Sequence, residues 1–252
     1  MPGRRAGPTW LERAVDRIPF LEKELFLLRR LVAPGDVCLD VGAAGGAHLL
    51  VMAHRVGPRG RVLGFEPRPA SHRVLRRLVG WAGYRSRVDL HALALADTHG
   101  EQALRVPVVP TRAHFHGSVE DPDEVAAFAG LPHRELLVST RTLDAVVAER
   151  ALARVDVIKC DVEGAELLVL AGAEDVLARH RPVVILEVDD EHQAREGAGA
   201  AEVFDVMRAR GYRPHRYLRG VLEEVPAPRE DEDDYVFLPV ERPPRVAVRP
   251  AA

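Results

Sequence analysis

An apolar run, residues 155–160, ends in Asp161, and Glu163 and Glu166 follow before the chain turns apolar again at helical spacing. Carboxylates so placed can accept a proton, hold a cation, or serve as first-turn residues that favour a helix dipole. The arrangement recurs along the chain. The runs VCLDV (37–41), RVLGFE (61–66) and PVVILEV (182–188) carry Asp40, Glu66 and Glu187 at or near their ends, and Asp97 follows the run at 88–95 by two residues. One acid of this kind reads equally well as an ordinary cap. Five at corresponding positions on one sheet edge would repel one another and raise each other's pKa. A cationic or hydroxyl-rich ligand, or a metal, would relieve that cost.

The first turn, DVGAAGG, spaces Gly42 and Gly46 as D-x-G-x-x-x-G. Gly42 permits a tight strand-to-helix turn with room for a ligand contact. The dinucleotide fingerprint G-x-G-x-x-G is absent, which disfavours a nicotinamide dehydrogenase. Glu66 ends the next run, where a carboxylate can accept both hydroxyls of a ribose.

Other residues carry two readings each. Lys159, one of only two lysines, sits in a run expected to be buried, either paired with a neighbouring carboxylate, or neutralising the acidic edge or touching substrate. Glu187, Asp189 and Asp190 with Asp161 can form an oxygen-rich Mg²⁺ site, but a solvated acidic loop is the favoured reading. His192 reads as a surface loop residue before a base, and His114-Phe115-His116 as a loop before a metal site. Glu166 reads as structural. Cys38 and Cys160, the only cysteines, read as core thiols in a reduced, cytoplasmic protein.

These residues need elements to hold them. Residues 9–32 read as one or two amphipathic helices, broken by Pro34-Gly35-Asp36. Beyond residue 36, apolar runs at 37–41, 61–66, 88–95, 155–161 and 182–188 alternate with helices expected near 46–56, 69–82, 164–178 and 199–210. That rhythm, without strict polar alternation in the runs, predicts an α/β fold, a doubly wound, mostly parallel sheet covered on both faces. Residues 213–218 and 234–239 are expected to pair across a long acidic loop, and 100–140 show the least regular pattern. The divisions are a helical segment at 1–35, one domain at 36–240 and a disordered tail at 241–252.

Composition narrows the partners. The chain has 252 residues, 47% of them hydrophobic, enough for one sizeable core. A net charge of −3 gives no electrostatic footprint for nucleic acid. No apolar run approaches the roughly 18 residues of a membrane span, and the start MPGRRAGPTW lacks the apolar centre of a signal peptide.

The stretches VCLDVGAAGG, VLGFEPRP, ALADTHG, STRTLDAVV, DVIKCDVEGAELLVLAGA and VVILEV occur in an order that resembles the FkbM family of class I S-adenosylmethionine-dependent methyltransferases. The resemblance covers roughly residues 36–190, and KCDVEGAE is its most specific part. It implies a seven-stranded Rossmann-like sheet whose last strand, DYVFLP, is reversed. It also implies methyl transfer, often onto a hydroxyl of a sugar or secondary metabolite in natural product biosynthesis. By this resemblance Asp40, Gly42, Ala43 and Gly46 would line the methionine and ribose end of S-adenosylmethionine. Glu66 would hold the ribose diol, with Pro67 turning the chain beneath it. Ala94 to Asp97 would lie near the adenine, and Asp161 would face the sulfonium. Ala44 and Gly45 depart from the family, which commonly has Asn and a bulkier apolar residue there. For catalysis the candidate bases are Asp161, Glu163 and Glu187, and Glu163 reads equally as a first-turn residue. Methylation at nitrogen or carbon, or a non-catalytic cofactor-binding module, are the alternatives. The sequence leaves the acceptor and the oligomeric state open.

Overall fold

The computed structural model describes residues 23–107, 133–189, 199–229, 231–242 and 245–249. In chain order α1 (Lys23–Leu31), β1 (Val37–Val41), α2 (Ala47–Val56), β2 (Arg61–Phe65), α3 (Pro69–Trp81) and β3 (Val88–His91) come first. Then come β4 (Ala94–Leu95), β5 (Gly100–Pro107), β6 (His133–Arg141), α4 (Leu143–Glu149), β7 (Val157–Cys160), α5 (Glu166–Ala171), α6 (Glu174–His180) and β8 (Val183–Glu187). The last are α7 (Ala200–Ala209), β9 (Tyr212–Leu218), β10 (Val221–Glu224), β11 (Asp234–Pro239) and β12 (Val248–Arg249).

Nine strands form the main sheet, in the order β12-β10-β9-β11-β8-β7-β1-β2-β3. β1 runs parallel to β2 and to β7, and β7 parallel to β8. The chain winds outward from β1 to β3 on one side and resumes at β7 on the other. The switch point of strand order therefore lies between the C-terminal ends of β1 and β7, where open α/β sheets bind ligands. β11, the DYVFLP strand, is antiparallel to both β8 and β9, as the resemblance implied, but β10 and β12 bring the sheet among the described residues to nine strands where seven were implied, and β12 follows β11 in the chain.

The strands read as continuous apolar runs because both faces are covered. On one face Cys38, Val157 and Ile185 pack beneath Leu25, Leu28 and Leu31 of α1 and Leu49 and Met52 of α2. On the other, Leu39, Val41 and Ile158 meet Val146 of α4, Leu170 of α5, Leu177 of α6 and Phe204 of α7. Phe204 sits edge-on to Tyr235 and Phe237, with ring centroids 4.8 and 5.3 Å away. The two cysteines lie in opposite layers, both buried and free.

Several expectations change. The run at 88–95 is not one strand: β3 stays in the main sheet, while β4 joins a second sheet of order β4-β6-β5. Within the irregular 100–140 region, β5 and β6 pair as an antiparallel ladder from Gly100↔Thr140 to Pro107↔His133. The helix expected at 164–178 is broken, because a side chain at Gly172 would come within 2.1 Å of the Ala96 carbonyl oxygen. Asp144 then starts α6 afresh by accepting the Asp175 and Val176 N–H groups at 3.0 and 2.8 Å. β9 does pair with β11, but the connection holds β10, which folds back on β9 through Arg219 and Gly220, both at positive φ (49° and 89°). Two such residues in succession make the turn that matches strand twist. The expected disordered tail is corrected at residues 245–249: Val246 is buried, β12 pairs with β10, and Arg245 binds the Asp36 carboxylate and donates 3.0 Å to the Leu31 carbonyl. Residues 1–22, His114-Phe115-His116, Asp190 and His192 lie outside the described residues.

Candidate active site

The turn after β1 is built by its neighbours. The Gly42 and Ala43 N–H groups both donate to the Phe65 carbonyl at the end of β2, at 3.1 and 2.9 Å. Gly42 has φ 80° and lies so close to the strand end of β7 that a Cβ would fall 1.8 Å from the Asp161 carbonyl oxygen. Gly46, at φ 85°, opens α2, and a Cβ there would meet Leu75 of α3 at 2.5 Å. Three strand ends and two helices thus meet at DVGAAGG. Gly45 has open space around its Cβ position, so the departure from the family's bulkier residue leaves room without strain.

Four of the five strand-end acids belong to this edge. Asp40 lies one residue before the end of β1, in register with Gly64 and Lys159. It is 1% exposed, and neither carboxylate oxygen has a hydrogen-bond partner among the described residues. Burial raises its pKa, against the pull of Lys159 and His48. Glu66 follows β2 directly and is buried; its Oε2 accepts the Ala44 N–H at 3.0 Å and its Oε1 the Arg68 N–H at 2.8 Å. Asp161 follows β7, and Glu187 is the last residue of β8. Pro67 is half-buried between Glu66 and α3. Asp97 stands apart: it follows β4 of the second sheet, is exposed, and accepts the Thr98 hydroxyl at 3.2 Å. Ala94 pairs with Thr140 in that sheet.

Lys159 is fully buried, and its Nζ donates to Asp161 Oδ2 at 2.6 Å. Burial alone would strip its proton. Asp161, Glu24 and Asp40 outweigh that and push its pKa up. The lysine is thus paired with a neighbouring carboxylate and, by that pairing, neutralises part of the acidic edge. Asp161 shows the mirror image: burial raises its pKa, but Lys159 and a hydrogen bond from Glu187 bring it below the usual carboxylate range. Glu187, half-buried, desolvated and beside the Asp161 charge, is pushed up to about 11. Burial and the Asp161 charge thus favour the proton on Glu187, while Lys159 favours the charge on Asp161.

Glu163 is exposed at φ 58°, in a turn continued by Gly164 at φ 111°. Glu166 is buried, and its Oε1 accepts the Val162 N–H at 3.0 Å, so it braces that turn. Among the described residues no group of three or more His, Cys, Asp or Glu is placed to hold a metal ion.

Sequence reasoning missed Glu24, His48 and Arg68. Glu24 of α1 is buried and lies 2.9 Å from His48 Nε2 of α2, which, with Lys159, holds its pKa down despite burial. The signal was an acid inside the apolar stripe of α1, one position before Leu25. Arg68 sits on Glu66, and nothing in the run EPRP marked that contact.

A methyltransferase FkbM domain model matches residues 40–214. The 31-O-demethyl-FK506 methyltransferase FkbM of Streptomyces tacrolimicus is 32% identical over 216 residues, 77% of this chain and 81% of that protein. The AMB antimetabolite synthetase AmbE of Pseudomonas aeruginosa is 28% identical over 218 residues, 75% of this chain but 10% of that much longer protein. The crystal structure of a methyltransferase FkbM from Methylobacillus flagellatus shares the fold, with a TM-score of 0.50 at 16% identity over 81% of this chain and 43% of that one.

Proposed function

The chain belongs to the FkbM methyltransferase family, whose donor is S-adenosylmethionine, and on that premise we propose that it methylates a hydroxyl of a small molecule. The Streptomyces relative, a 31-O-demethyl-FK506 methyltransferase whose name denotes transfer to an oxygen, supports that reading. The observation that carries it is Asp161 at the end of β7, with Lys159 Nζ 2.6 Å from its Oδ2 and its carbonyl oxygen against the glycine turn.

The residues present fit the donor. Asp40 is a buried carboxylate whose oxygens lack partners among the described residues, and the cradle at Gly42 tolerates no side chain. In our reading Asp40, Gly42, Ala43 and Gly46 hold the methionine and ribose end. Glu66 takes the ribose diol above Pro67, Ala94 to Asp97 lie by the adenine, and Asp161 faces the sulfonium. Bound there, S-adenosylmethionine would supply an electrophilic methyl on a good leaving group. The protein then has to align an acceptor and remove its proton. Asp161 is the charged member of its pair and its side chain is 31% exposed, so it is the base that can reach an acceptor. Glu187, holding the shared proton, orients that carboxylate. Glu163, exposed on the next turn, is the second candidate.

Transfer of labelled methyl to matched hydroxyl and amine acceptors tests the reading. Label on the hydroxyl, with turnover down about 10²-fold in Asp161→Asn, is the expected result. Label on the amine alone would overturn the choice of oxygen. An unchanged rate in Asp161→Asn with a lower one in Glu163→Gln would move the base to Glu163.

A further inference from the structure

The carboxylate assigned above to a ribose diol already has a full set of donors. Glu66 Oε1 accepts the Arg68 backbone N–H and Arg68 Nε, both at 2.8 Å. Glu66 Oε2 accepts the Ala44 N–H at 3.0 Å and Arg68 Nη2 at 3.1 Å. A carboxylate offers about four lone-pair sites, so none remains for a ligand. Two of the four donors are backbone groups fixed by the turns after β1 and β2, and these aim the carboxylate. The other two are neighbouring N–H groups of one guanidinium, a bidentate fork that matches a carboxylate. A vicinal diol presents two O–H donors to the same pair of oxygens.

The side chains differ in freedom. Glu66 is 1% exposed, whereas Arg68 is 40% exposed, so the guanidinium can leave while the acid stays.

We propose that Arg68 is an internal competitor for the ribose position: its guanidinium must leave Glu66 before ribose hydroxyls can bind, and its hold sets the affinity for donor and demethylated product alike. The proposal rests on the assignment of Glu66 to the ribose. A competing state that occupies nine-tenths of the molecules weakens apparent affinity about tenfold.

Calorimetry with S-adenosylhomocysteine on the full chain tests this. Arg68→Met removes the donors and keeps the bulk; it is expected to bind about 5–10-fold more tightly than the parent. Arg68→Lys, which keeps the charge but loses the fork, is expected in between and guards against a folding artefact. If the parent binds, Glu66→Gln weakens it and Arg68→Met binds equally or less tightly, the competitor is overturned while the ribose assignment stands. If Glu66→Gln binds as the parent does, the ribose assignment fails and the competitor with it.

Discussion

Asp161, Glu187 and Lys159 show how three neighbours divide two charges. Lys159 is buried with a carboxylate on it, Asp161 is held toward its charged form by that contact, and Glu187 is pushed toward its protonated form by desolvation and then by Asp161. The consequence for pH can be worked out. Glu187 has an ordinary value of 4.5 and is held near 11 in the fold, so between these the folded chain binds more protons than the unfolded one. Stability from this group is full below the lower value and drains away as pH rises toward the upper one. Asp161, shifted downward, acts oppositely and only in acid, below its ordinary 3.8. Glu187→Gln supplies a permanent neutral donor. Its melting temperature should exceed the parent's by a margin that widens between about pH 6 and pH 9, reaching several degrees where 1 kcal/mol moves Tm by about 2–4 °C. Parallel melting curves across that range would remove the shared proton. The acids themselves were legible, because a carboxylate ending an apolar run stands out in any chain. Arg68 and Glu24 were not, since an arginine after a turn and an acid on a helix look the same whether they touch solvent or another residue.

Among elements, the turn at DVGAAGG is the least forgiving. Gly42→Ala forces a positive φ on alanine and drives Cβ into the Asp161 carbonyl. Summing backbone strain and overpacking gives a loss of about 3 kcal/mol or more. Gly45→Ala, with open space at its Cβ position, should change stability by under about 0.5 kcal/mol. Denaturant midpoints for the two variants check the contrast, and equal losses would mean the turn yields. Strand and helix periodicity found β1, β2, β7, β8 and β11 and the helices α1, α2, α3 and α7, because each turns an apolar face to the sheet, but it did not mark α4. It failed where the chain changes partners. Nothing in the run at 88–95 shows that His91 ends one sheet and Ala94 begins another. The break between α5 and α6 depends on the distant Ala96 carbonyl, and β10 needed the turn potential of Arg219-Gly220 to be weighed against the acidic composition around it.

At the scale of the whole molecule, the end of the sheet opposite the candidate site is tied by ions. Asp36 accepts the Ala33 N–H at 2.9 Å and binds Arg245, while Asp156 accepts the Val37 N–H at 3.0 Å and Arg242 Nη2 at 3.1 Å. Both aspartates sit before strand starts, so this network and the acids at strand ends lie a strand's length apart. Arg245→Ala should cost about 1 kcal/mol, since its side chain is 37% exposed. S-adenosylhomocysteine affinity should stay as it was. A loss of affinity in calorimetry would show that the two edges communicate. The margins of the nine-stranded sheet carry a further meaning. One ends in β12, two residues long, and the other in β3, four residues long, with Asp89 engaged by Arg150. Such brief borders offer a passing chain few free amides and carbonyls to zip onto, so accretion into fibrils by edge-to-edge growth is discouraged at both margins of that sheet.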